Sequence, residues 1–326
     1  MNLNFQNKTY FQAAMAGPGA VQEPEHTAAD AFALLIRGAS QGQLGNLCAL
    51  LCRREPELTL AHAYARTQGE QAGTLLPLAL ECLGQGMALG EEKVPGTSFN
   101  ASDYMGHCLL EGRLCAELAG ACGMDRDYAF RLGILHDYGR RETHTLAHTV
   151  RGFELLTDLG WKREAFGCLT HSFLNGGRCA SNETAEPGFY VDEQGMPCWR
   201  EDAERDEMTQ FLEQYTYSDY DRILNIADLM ATSHGVVSPM ERLRDIATRR
   251  TLDPTNRGYF LAELTDQLLW LMGCIGVEIP AAWAHVHRAE AGIPLERLQQ
   301  ELEAVSAAFY EAVGKLTTTK AGGEQQ

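Results

Sequence analysis

Apolar residues recur three and four positions apart along most of the chain, the spacing that lines one face of a helix against a core. In the stretch 104–122, Leu110, Leu114 and Leu118 stand four apart, and Gly123 follows as a natural stop. Phe130 and Ile134 repeat the pattern in 126–136. Further helices are predicted over 144–159, 162–174, 207–215, 218–233, 239–250 and 257–275. From 28 to 90, Ala, Leu and Glu are abundant and β-branched residues scarce, which suits four short helices at 28–38, 42–53, 57–68 and 73–88. The most regular run is the last: Leu295, Leu298, Leu302, Val305, Phe309, Ala312 and Leu316, entered from Pro294. Alternating β-branched runs are nearly absent, so the expected fold class is all-α.

The breaks in this pattern divide the chain. Residues 1–26 hold Gly17, Pro18, Gly19 and Pro24 with no sustained period, and read as a loose N-terminal arm. A helical segment over 27–102 ends in a connector carrying Pro95, Gly96 and Asn100. The central region, 103–250, contains a loop at 175–206. There Gly176, Gly177, Pro187, Gly188, Gly195 and Pro197 sit among acidic residues, with room for a short hairpin. C-terminal helices occupy 251–316, and a polar tail, 317–326, is expected to fray. The last helix suits docking on its own domain, or the seam of a homodimer.

Composition narrows the class. With 45% apolar and 22% charged residues in 326, the chain can bury a core without disulfides. Its longest apolar stretch, 268–277, is too short to span a bilayer, and the start, MNLNFQNKTYFQ, lacks the apolar core of a signal peptide. A cytoplasmic protein without a membrane partner is expected. The balance of 27 basic and 44 acidic residues gives a net charge of −17, which argues against non-specific binding to duplex nucleic acid. A local basic pocket for a small anion remains compatible with it. The ten cysteines form no C-x-x-C pair and read as free thiols. Cys108, Cys115 and Cys122, seven apart, suit a packed helical stripe, and Cys179 with Cys198 are too few for a structural zinc. No Walker loop, G-x-G-x-x-G, H-E-x-x-H or G-x-S-x-G string occurs.

The chemistry is concentrated in the histidines. Five of ten fall between 107 and 171: His107, His136, His144, His148 and His171. His136 is followed directly by Asp137 at the end of an apolar helix, where two neighbouring side chains can converge on one ion. Imidazole with carboxylate is the usual donor set for borderline divalent metals.

This ordered set resembles the HD-domain superfamily of metal-dependent phosphohydrolases. The resemblance rests on His107, on His136 with Asp137, and on Asp228 in the string Asn-Ile-Ala-Asp, and it covers roughly 103–250. It implies an HD-type helical bundle with additional N- and C-terminal helices. His148 and His171 match the two further histidines of members that hold two metals. The implied ligand set is therefore His107, His136, Asp137, His148, His171 and Asp228, with Asp137 between two divalent ions drawn from Mn, Fe, Co, Ni, Zn or Mg. Eleven positions separate Asp137 from His148, a short interval for that class. His144, one turn earlier, is the alternative ligand, or a proton donor to substrate. Arg140 or Arg141 stands where many relatives have a phosphate-holding lysine. The resemblance implies hydrolysis of a nucleotide or another small phosphorylated substrate by metal-activated water, with Asp137, His144, Arg140 and Arg141 as candidate catalytic residues. Two other functions are compatible: a mixed-valent di-iron oxygenase, which shares fold and ligand set, and a metal-bearing sensor or interaction module without catalysis.

Overall fold

The structure is a computed structural model, and it describes residues 3–20, 26–35, 101–143, 145–174, 189–191, 197–199, 206–232, 235–249, 257–283, 288 and 293–323. The predicted helices within 36–100, the residue His144 and most of the 175–206 loop lie outside the described residues.

The fold is all-α, as the periodicity predicts. Three helices lay down the frame of the site: α3 (Ala101–Ala121), α4 (Arg126–Leu135) and α8 (Asp219–Asp228). α3 and α4 form an antiparallel hairpin whose turn is set by Gly123, at φ 73°, and by Asp125. The Asp125 carboxylate accepts from the backbone N–H groups of Asp127 and Tyr128 and so caps α4. The two helices cross almost backbone to backbone. A Cβ on Gly133 would lie 2.8 Å from the Gly112 Cα, so this crossing requires glycine.

Against one side of this hairpin pack α5 (His148–Asp158), α6 (Lys162–Thr170) and α2 (Ala28–Leu35). This core is aromatic-rich, with Phe130, Phe153, Trp161, Phe166, Phe173 and Phe211 buried together. On the other side α8 leads to α10 (Arg257–Cys274), and α11 (Leu295–Gly323) packs on α10 and on α9 (Pro239–Arg249). This second core is built mainly of leucines, and the predicted stripe Leu298, Leu302, Val305 and Phe309 is buried in it. The last helix is therefore docked on its own chain.

Two sequence expectations change. Residues 1–26 are not simply a loose arm: α1 (Lys8–Ala16) forms within them, capped by the Asn7 side chain. The strand-like residues before it are pinned to the start of α7 (Glu207–Gln214). Leu3 N–H donates to Asp206 and Phe5 N–H to Glu207, and Leu3 and Phe5 are buried. A short-range period cannot reveal a segment held by contacts two hundred residues away. The tail also continues as helix to Gly323 instead of fraying at 317. In the 175–206 loop, β1 (Phe189–Val191) pairs antiparallel with β2 (Pro197–Trp199), the short hairpin for which the loop had room. A second small hairpin, β3 (Ala231–Thr232) with β4 (Gly235–Val236), ends the chain's run out of α8. Among the described residues, no helix is long and apolar enough to cross a membrane.

Candidate metal centre

The His-Asp pair sits where α4 ends. His136 is the first residue beyond the helix, and Asp137 precedes a tight turn, Tyr138–Arg141. That turn presses against the start of α5. A Cβ on Gly139 would lie 2.0 Å from the His148 carbonyl oxygen, so only glycine lets the chain double back so closely. This answers the short interval between Asp137 and His148. The turn is folded flat against the next helix, and His148, the first residue of α5, returns beside Asp137.

Six expected residues meet here. His107 comes from the middle of α3, His148 from the start of α5, His171 from just beyond α6, and Asp228 from the last position of α8. Each imidazole is oriented by a backbone carbonyl oxygen. His107 Nδ1 donates to the Ala231 carbonyl at 3.2 Å, and His136 Nδ1 to Gly133 at 2.6 Å. His148 Nδ1 donates to Thr145 at 2.7 Å, and His171 Nδ1 to Cys168 at 3.0 Å. With Nδ1 committed, every ring turns Nε2 toward Asp137.

The two oxygens of Asp137 face different rings. Its Oδ1 is 3.0 Å from His148 Nε2 and 3.3 Å from His171 Nε2. Its Oδ2 is 3.5 Å from His136 Nε2 and 3.9 Å from His107 Nε2. Asp228 Oδ1 reaches His107 Nε2 at 3.3 Å. The Nε2 atoms of His148 and His171 are 3.0 Å apart, with lone pairs facing when both rings are neutral. The Ser172 hydroxyl also lies 2.9 Å from His171 Nε2. Buried His136 Nε2 and Asp137 Oδ1 find no hydrogen-bond partner. Unpaired buried polar atoms of this kind call for a cation. The donor set fits one: imidazole nitrogens and carboxylate oxygens converge without intervening apolar groups.

Electrostatics follow the same geometry. Burial opposes ionisation of Asp137, but the Arg140 guanidinium and the imidazoles of His136 and His148 outweigh it and hold its carboxyl well below the usual range. Asp228 is likewise held low, because its hydrogen bond and charge interaction with His107 overcome burial. Burial, with Arg140 nearby, pushes His148 down to about 4, so the ring is neutral and available as a ligand near pH 7.

The two arginines part company. Arg140 Nε donates to Asp137 Oδ2, and its side chain is 25% exposed, at the edge of the cluster. Arg141 turns away: it donates to the carbonyl oxygens of Leu34 and Leu35 on α2 and stacks on Tyr138. Its partners give it a structural place.

Sequence reasoning missed Glu111. It lies on α3 one turn after His107 and is completely buried. Its Oε2 is 3.1 Å from His136 Nε2 and 3.4 Å from His107 Nε2. His107, Glu111, His136 and Asp228 form one group able to hold a metal ion, and His136, Asp137 and His171 form another. The available signal was a charged residue within the buried stripe Tyr104, Cys108, Glu111, Cys115 and Leu118.

A second overlooked residue is Asn225, one turn before Asp228. Its buried side-chain N–H groups reach the carbonyl oxygens of Thr170, His171 and Phe173, at 2.8, 2.8 and 3.0 Å. Asp221, one turn earlier, accepts from the Thr170 hydroxyl at 2.8 Å. One face of α8 thus clamps the chain that carries His171.

No protein-family model matches the chain, and no curated protein does. Among solved structures, the chain is similar to the "Putative phosphohydrolase from Shewanella amazonensis SB2B". Identity is 16%, with 95% of this chain and 99% of that one covered, at a TM-score of 0.28. So low a score carries no argument about fold or chemistry. The reading of the centre rests on its own geometry.

Proposed function

We propose that the chain is a metal-dependent phosphohydrolase of the HD type, acting on a nucleotide or another small phosphoester. The observation that carries the reading is the division of Asp137: one oxygen faces His148 and His171, the other His107 and His136. A carboxylate shared in this way between two donor sets suits a pair of divalent ions, with His107, His136, Asp137 and Asp228 holding one and Asp137, His148 and His171 the other. Bound there, such ions would activate a water for attack, as zinc does when it lowers the pKa of water from 15.7 to roughly 7, and would polarise phosphoryl oxygens.

The protein's own groups then have defined tasks. The backbone carbonyls hold the four rings with Nε2 inward. Arg140, at the exposed edge, is placed to exchange Asp137 for two oxygens of a phosphoryl group, which a guanidinium can hold together. Asp228 is 24% and His107 12% exposed, so substrate and solvent approach from their side. His144, the proposed proton donor, lies outside the described residues.

The test is a panel of nucleotides and simple phosphoesters offered to metal-stripped protein reloaded with Mn²⁺, Co²⁺, Mg²⁺ or Fe²⁺. Phosphate or nucleoside release with at least one metal is expected. Oxygen uptake by the iron-loaded protein without phosphate release would replace this reading with the oxygenase. Bound metal with neither reaction would leave the sensor module.

A further inference from the structure

We propose that Glu111 is itself a ligand of the ion on the His107 side, and that it biases that position toward six-coordinate divalent ions and against zinc. The inference rests on the metal-centre reading and extends its ligand set.

Three observations carry it. First, Glu111 is completely buried, and neither carboxylate oxygen has a hydrogen-bond partner. A buried carboxylate is ordinarily held by backbone N–H groups, a hydroxyl or a cationic side chain. Among the described residues, the ion-pair partners of Glu111 are His107 and His136 alone, and both rings already commit Nδ1 to backbone carbonyls. Unless protonated at Nε2 as well, they offer the glutamate lone pairs instead of protons. Second, the atom left bare on the facing ring is His136 Nε2, also fully buried and unpartnered, 3.1 Å away. Lone pair faces lone pair across a space that a shared cation would bridge. Third, the ligating atoms of His107, Glu111, His136 and Asp228 all lie within 4.8 Å of one another. Glu111 lies at the closed bottom of this group, whereas Asp228 lies at its solvent-reached edge.

The chemical consequence is selectivity. Without Glu111 the His107 side offers two imidazoles, Asp228 and one oxygen of Asp137, a set of four that satisfies tetrahedral zinc. A fifth protein donor, again a carboxylate, exceeds what zinc prefers and suits ions that take six ligands through oxygen and imidazole, such as Mn²⁺ and Fe²⁺.

Titration of the chelator-stripped full chain with Mn²⁺ and with Zn²⁺, followed by calorimetry and thermal unfolding, tests this. Glu111→Gln keeps size and removes charge. It should weaken Mn²⁺ binding by about tenfold or more, the scale at which even outer-shell partners act. Zn²⁺ should be affected less, so the Mn²⁺/Zn²⁺ preference falls. The metal-induced rise in Tm should shrink with it. If Glu111→Gln binds both ions with wild-type affinities, the proposal is overturned while the metal centre stands. If the wild-type chain binds neither ion, the metal reading fails and takes this one with it. Glu111→Asp guards against misfolding: withdrawing the carboxylate by one methylene should lower Mn²⁺ affinity, and unchanged affinity there would also overturn the assignment.

Discussion

On the Oδ1 side of Asp137, His148 and His171 come from the two ends of an α5–α6 hairpin, twenty-three positions apart in sequence and buried from solvent. On the Oδ2 side, His107 and Asp228 come from α3 and α8, far apart in the chain, and solvent reaches both. The inner side is built on the hairpin and the flat turn before it, with α8 clamping the chain at His171 from outside. The outer side exists only once α8 has docked on α3. The difference is one of access as well as origin: the inner side is closed, and solvent reaches the outer one. It also makes the two sides separable by experiment.

The largest effect should come from the residue common to both. Asp137→Ala removes the shared carboxylate, and bound metal measured by elemental analysis should fall to near zero. Phosphoester turnover should fall by more than about a hundredfold, beyond the range seen for outer-shell losses. Metal content equal to wild type would show that the cluster is held together without it.

Next is Gly139→Ala, which attacks the inner side through the backbone. Its methyl group would meet the His148 carbonyl oxygen at 2.0 Å and the Gly152 nitrogen at 2.5 Å, both parts of a helix that cannot swing aside cheaply. A loss of about 3 kcal/mol is expected from overpacking of this kind, read as a lower midpoint in urea, with metal affinity falling too. A wild-type midpoint would show that the turn has room for a methyl group.

His148→Ala and Asp228→Ala then dissect the two sides. His148→Ala should lower bound metal from about two ions to one, the His107 side being retained, as expected for a two-metal site. Asp228→Ala should leave the inner side loaded. Equal stoichiometry in both variants and the wild type would collapse the comparison into a single-metal centre.

The smallest effect, and the one that links the sides, belongs to Asn225. Asn225→Ala leaves the Thr170, His171 and Phe173 carbonyl oxygens without their shared donor. A cost of about 1–3 kcal/mol in thermal or urea unfolding is expected. Metal loss should be confined to the His171 side, because α8 then no longer fixes the chain that carries that ring. Weakening on the Asp228 side alone would reverse this assignment.

Much of this was legible before any coordinates. Apolar spacing marked α3, α4, α5 and α6 to within a few residues, because each carries a regular apolar stripe, although α4 and α6 are buried on every side over their last two turns. The ordered run His107, His136, Asp137, His148, His171 and Asp228 was visible because imidazoles are rare in helical sequence and these stood in a known order. The α1 helix was not legible, since the chain leading into it is held by backbone N–H groups of Leu3 and Phe5 donating to the distant Asp206 and Glu207 carboxylates. Nor was the division between Arg140 and Arg141, which adjacent positions in one string cannot distinguish.

By itself, then, the sequence determined the helices of the central region, their polarity and the types of donor available for an ion, since all three depend on neighbours within a few turns. Tertiary structure alone decided which of those donors face one another. It placed Glu111 against His136, committed Arg141 to α2, and brought Asn225 over the chain at His171. Burial, charge neutralisation and hydrogen-bond supply belong to the whole packed chain, and no window along it contains them.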